Sequence, residues 1–147
     1  MIKITSDSEE TTKNIAAKLA EKLEAGDVVC LFGNLGAGKT VFASGFAKGL
    51  GINSPISSPT FIIVNEYEGK LPLFHFDVYR IDSDEFLEMG GDEYFSRGGI
   101  CLIEWPENIT DVLPKERLEI YIDYADDTTR EIVIKPIGER YERLMQD

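Results

Sequence analysis

Apolar positions along the chain follow two rhythms, short unbroken runs and stripes recurring every three or four residues. Val28 to Phe32 ("VVCLF") is apolar throughout, and "GGICLIEW" nearly so. Runs of this length read as strands buried on both faces, as in a parallel sheet between helices. In "SDSEETTKNIAAKLAEKLEAG", Ile15, Leu19 and Leu23 lie four residues apart on one stripe. That predicts a helix capped by Ser6 or Ser8 and ended by Gly26. "TVFASGFAKGLG" predicts a second helix stopped by Gly51.

From Asn53 the texture changes. "NSPISSPT" is irregular, whereas "FIIVNEY" and "LPLFHFDVYRI" read as strands joined across Glu68-Gly69-Lys70. Asp82–Gly90 predicts a short acidic helix capped by Asp82 or Ser83, and "ENITDVLP" a helical turn. "LEIYIDY" and "REIVIKP" form a second hairpin across "ADDTT", before a helical tail. No repeat or linker interrupts this order. We expect one α/β domain over residues 1–147, with a mostly parallel central sheet flanked by helices and extended by antiparallel hairpins.

Composition narrows the partners. An apolar content of 43% in 147 residues suffices for one core. A net charge of -12 argues against non-specific binding of nucleic acid or anionic membrane; it reads first as solubility, with a basic protein partner as the sharper alternative. Cys30 and Cys101 sit inside apolar runs, as buried thiols of a reducing compartment. The start lacks an apolar leader segment and no run could span a bilayer, so a cytoplasmic protein is expected.

The chemistry is concentrated in "LFGNLGAGKT". Gly33, Asn34, Leu35, Gly36, Ala37, Gly38, Lys39 and Thr40 match the phosphate loop of the P-loop NTPases, between an apolar strand and a helix. Backbone amides and the helix N-terminus would wrap a phosphate there, with Val41 beside them. Lys39 would reach the β- and γ-phosphates and Thr40 would bind Mg²⁺. Such a loop needs an acid at the end of a neighbouring strand, and Glu104 and Asp77 are the candidates. Thr60, in "SSPTF", lies where a segment could fold over the γ-phosphate or form an ordinary surface loop. His75, between two phenylalanines, reads as a hydrogen-bonded packing residue more than as a base. Arg80 could meet local acids or phosphate.

"LFGNLGAGKT", "SPTFIIVNEYEG", "FHFDVYRI", "EFLEMGGDEYF" and "ICLIEWPE" resemble, in order and spacing, the TsaE (YjeE) family of small bacterial ATPases. The resemblance implies Mg²⁺-dependent ATP binding and hydrolysis in support of tRNA threonylcarbamoyladenosine synthesis. It also implies docking on the TsaD–TsaB protein pair without itself transferring the threonylcarbamoyl group, with tRNA met only through that complex. By motif, Leu35 to Thr40 would hold the phosphates, Thr40 and Glu104 the metal, and Asp77 would serve hydrolysis. Thr60 would be the switch residue and Trp105 would lie beside the site. Glu9 or Thr11, before the first helix, and Arg130 would approach the adenosine.

Rival activities share the loop. A small-molecule kinase would carry an arginine-bearing lid, and the six arginines form no such segment. A GTP switch would carry Asn-Lys-x-Asp, which is absent. A sensor that binds without turnover would not need the paired acids.

Overall fold

The computed structural model describes residues 1–34, 36–57 and 63–146. In chain order the elements begin with β1 (Ile2–Ser6), α1 (Glu9–Glu21), β2 (Val28–Phe32), α2 (Lys39–Gly49), β3 (Val64–Tyr67) and β4 (Leu73–Asp77). Then come α3 (Ser83–Glu88), β5 (Ile100–Glu104), β6 (Arg117–Tyr124), β7 (Arg130–Ile137) and α4 (Glu139–Leu144). The strands form one sheet in the order β1-β7-β6-β2-β5-β4-β3.

The four central strands, β6, β2, β5 and β4, are mutually parallel, and the outer pairings are antiparallel. This is the expected α/β arrangement. Each unbroken apolar run became a strand covered on both sides. Val29 and Leu31 face Phe42 and Phe46 of α2, while Cys30 and Ile103 face the layer holding Phe86 of α3. Both cysteines are free, and burial pushes each thiol up to about 12, so they stay protonated packing groups.

Several local expectations need correction. "IKITS" is a strand, β1, paired antiparallel with β7. It alternates polar and apolar residues at the sheet edge, so it lacks the continuous apolar signal of β2. Ser8 caps α1, accepting from the Thr11 amide at 3.1 Å, while the Ser6 hydroxyl is buried against Thr12 at 2.6 Å. Glu9 and Thr11 therefore lie inside α1, not before it. Gly26 does not end α1, which stops at Glu21. Its φ of +95° serves the turn into β2 instead. Gly91–Ser96 forms an unanticipated stretch of 3-10 helix. The helical turn in "ENITDVLP" runs over Pro106–Val112, and Asp82 caps α3 in a reciprocal capping box with Glu85. No helix among the described residues is long and apolar enough to cross a membrane.

The packing of α1 on α2 rests on two glycines. A methyl group at Gly45 would run into the backbone of Lys13, and one at Gly49 into that of Ala17. Backbone cannot yield as a side-chain tip can. Gly45→Ala should therefore destabilise by about 2–3 kcal/mol despite its better helix propensity. Thermal melting should register a fall of roughly 5–10 °C. An unchanged melting temperature would mean that the helices separate freely. Because α2 begins at the glycine loop, this contact also fixes where that loop sits.

Candidate functional site

Parallel strands bring their carboxyl ends to one edge of the sheet, where open α/β folds bind ligands. Across that edge Leu31 of β2 is in register with Glu104 of β5, and Glu104 with Asp77 of β4. The glycine loop leaves β2 at the same edge. A cavity of about 880 Å³ opens above it.

The loop is built as an anion cradle. Gly38 precedes α2 with φ +108°, as a glycine it brings no capping side chain, and no acid occupies the first turn. The amides at the start of α2 are left for an external acceptor. Gly36 also has positive φ, at +81°, and a Cβ there would lie 3.0 Å from the Tyr124 hydroxyl. Gly33 lies beneath the loop, where a Cβ would stand 2.9 Å from the Ile122 carbonyl oxygen.

Lys39 is the least satisfied group of the site. It is only 6% exposed, and its Nζ has no hydrogen-bond partner among the described residues. The ammonium sits over the Trp105 ring, 3.7 Å from the centroid. Burial pulls its pKa below the usual lysine value, opposed by the nearby carboxylates of Glu104, Glu107 and Asp77. A buried cation aimed at a cavity and left without an acceptor suits a phosphate.

Trp105 holds that position at a conformational cost. Its φ of +62° is unfavourable for a side chain of its size, and the Tyr79 ring packs on it at 4.7 Å. Asp77 accepts a hydrogen bond from the Tyr79 amide at 3.0 Å. Glu104 is 5% exposed and pairs with His75 at 2.6 Å. His75 is thus a buried hydrogen-bonded residue, as expected, though its partner is one of the two candidate acids.

The cavity gathers the predicted Gly36, Gly38, Lys39, Thr40 and Val41 with Asp77, Glu104 and Trp105. Glu9 and Arg130 also line it, from α1 and β7. Other residues take supporting positions. Thr11 donates to Asp7 at 3.0 Å and stays in the cap of α1. Ala37 is buried, and its carbonyl accepts from Arg130 Nε at 3.0 Å. Arg130, stacked 4.0 Å over Tyr124, therefore braces the glycine loop as well as facing the cavity. Gly33, Asn34, Ala37 and Thr11 do not line it. Leu35 and Thr60 lie outside the described residues.

Sequence reasoning missed Asp7, Ser8, Thr12, Ile63, Tyr79, Asp127 and Thr128, which also line the wall. They come from the β1–α1 turn, the first turns of α1, the β6–β7 hairpin tip and loops beside β3 and β4. No motif links those segments, although "SDSEE" was marked as the cap and start of a helix and "ADDTT" as a hairpin turn. Arg80, left undecided by sequence, lines the cavity. The described residues contain no cluster of three metal-ligating side chains. A magnesium site here would thus take much of its shell from phosphate oxygens and water, as this ion commonly does.

Known proteins share both sequence and fold. A family model described as "Threonylcarbamoyl adenosine biosynthesis protein TsaE" matches residues 6–132. The "tRNA threonylcarbamoyladenosine biosynthesis protein TsaE" of Bacillus subtilis (strain 168) is 51% identical over 139 residues, covering 94% of this chain and 87% of that protein. The protein of the same name from Nostoc sp. is 40% identical over 143 residues, with 94% and 88% covered. A solved structure, "Crystal structure of Bacillus subtilus YdiB", superposes with a TM-score of 0.84 at 45% identity, covering 99% of this chain and 91% of that one. With its phosphate loop on a parallel sheet and this likeness over nearly its whole length, the chain belongs to the TsaE family of P-loop nucleotide-binding proteins.

Proposed function

We propose that this chain is a Mg²⁺-dependent ATP-binding and hydrolysing subunit of tRNA threonylcarbamoyladenosine synthesis. In this reading it docks on the TsaD–TsaB pair in the cytoplasm, meets tRNA only through that complex, and does not itself transfer the threonylcarbamoyl group. The observation carrying the reading is the buried, unacceptored Lys39 ammonium over a glycine loop, with two strand-end carboxylates beside it.

The residues divide the work by position. Amides at the start of α2 and in the glycine loop bind the phosphates, and Lys39 neutralises their outer charge. Thr40 and Glu104 would hold the magnesium, which when bound supplies charge neutralisation at the transferring phosphoryl group. Asp77, register partner of Glu104, orients the attacking water. Trp105 and Tyr79 wall off one side. Glu9 and Arg130, which line the cavity from α1 and β7, are proposed for the adenosine end. Thr60 is proposed as the switch residue near the γ-phosphate.

The acidic charge fits a docking role. Near α3, Leu87 and Met89 are partly exposed beside Asp84, Glu85 and Glu88, a mixture suited to a basic protein surface. The test is steady-state phosphate release from Mg·ATP, by the chain alone and with purified TsaD–TsaB. Turnover should be weak alone and rise with the pair, and charge reversal at Asp84 and Glu88 should reduce that rise. ATP binding without any stimulation by the pair would overturn the partner-dependent part of the reading.

A further inference from the structure

The chain has one histidine, and it is buried against a carboxylate of the site. His75 is 1% exposed and lies on β4 two positions before Asp77, so both side chains leave the same face of the strand. The neighbouring parallel strand β5 ends at Glu104. His75 Nε2 and Glu104 Oε2 stand 2.6 Å apart. The other ring nitrogen, Nδ1, is buried without a hydrogen-bond partner among the described residues.

That asymmetry assigns the tautomer. A carboxylate oxygen only accepts, so the proton of the short contact belongs to Nε2. A proton on Nδ1 would be a buried donor with no acceptor among the described residues, whereas a bare nitrogen there leaves only an unused acceptor. The ring is therefore built to donate one hydrogen bond, through Nε2. Glu104 has two oxygens, and this bond occupies one. At 1% exposed in the interior of β4, His75 is held in place by the packing around it.

We propose that His75 is a positioning residue: its Nε2–H holds Glu104 Oε2, fixing the carboxylate so that Oε1 is presented to the metal-bearing end of the nucleotide. The inference rests on the ATP and magnesium reading above and assigns the device that aims its principal carboxylate. Groups in this role act through the residue they orient, and their loss typically lowers metal affinity or activity about 10- to 100-fold.

Two substitutions separate positioning from packing. His75→Phe keeps an aromatic ring but removes the donor. His75→Gln places an amide Nε2 the same number of bonds from Cα and restores it. We expect His75→Phe to lower Mg·ATP turnover by about 10- to 100-fold and to raise the Mg²⁺ concentration needed for half-maximal rate. ADP binding in EDTA should stay near that of the unmutated chain. His75→Gln should recover most of the loss. Nitrogen NMR of the single imidazole, without nucleotide, should find Nε2 protonated and Nδ1 bare.

The opposite tautomer would overturn the proposal. So would a folded His75→Phe chain with unchanged magnesium dependence, or a His75→Gln chain no better than His75→Phe. Weakened ADP binding in EDTA, in step with lowered melting, would mean a packing role and would also overturn it. If the unmutated chain binds no nucleotide, the ATP reading itself falls and takes the inference with it. That outcome is distinct, because it requires no substitution.

Discussion

Lys39→Met should lose ATP affinity on the order of 100-fold while melting no lower than the unmutated chain, because the ammonium is a burden on the nucleotide-free fold. It is buried, finds no hydrogen-bond acceptor among the described residues, and has the Trp105 ring as its nearest compensation. Methionine fills similar space without the charge. The pH dependence carries the same sign. Burial sets the folded pKa below the ordinary 10.5, so between those two values the unfolded chain holds more protons than the folded one. Stability of the nucleotide-free protein should therefore rise with pH through that window. The rise should be absent in Lys39→Met. It should shrink when a triphosphate is bound, since the anion holds the proton in place. Calorimetric titration with ATP, and melting curves at several pH values, check both halves. Undiminished affinity in Lys39→Met would refute the phosphate role, and a marked loss of stability would refute the account of its burial.

Glu104→Gln should retain nucleotide binding and lose turnover by about 100-fold or more. The amide keeps the shape, and its oxygen can still accept from His75, so the fold at the end of β5 is preserved. What disappears is the negative charge beside the proposed metal. Asp77→Asn provides the comparison, since the two acids are register partners on adjacent strands and line the same cavity. In the proposed division of labour, added Mg²⁺ should partly rescue Glu104→Gln and should leave Asp77→Asn slow. Phosphate release measured across a magnesium series separates them. Rescue of Asp77→Asn alone would exchange the two roles, and full turnover in either variant would remove that acid from the chemistry.

Much of the site was legible because its central part is contiguous. Gly33 to Thr40 carry their own geometry: glycines where φ is positive or where a Cβ would meet Ile122 or Tyr124, then a cation, then a hydroxyl. Glu104 and Asp77 were legible for a related reason. Each ends a run of apolar residues, and a strand buried in a parallel sheet has few other places for an acid. β1 was not legible, since an edge strand with one solvated face has only a short alternating signal. The cap of α1 was narrowed to two serines but not decided. The choice turned on Ser6 being drawn into the interior by Thr12, a contact across the β1–α1 turn.

Residue order by itself determined the chain's class: apolar runs without interruption must be covered on both faces, and a glycine loop followed by Lys-Thr can make an anion site from backbone alone. Those are local properties, carried by φ angles, spacing and the absence of side chains. Tertiary structure alone decided which distant groups meet. It set Trp105 against Lys39, Arg130 on the carbonyl of Ala37, and His75 on Glu104. The last two contacts join residues separated by 93 and 29 positions. Such pairings follow from strand order and register, which many sequences with the same periodicity could satisfy differently. The loop was therefore written in the sequence, and the side chains that hold and aim its partners were placed by the sheet.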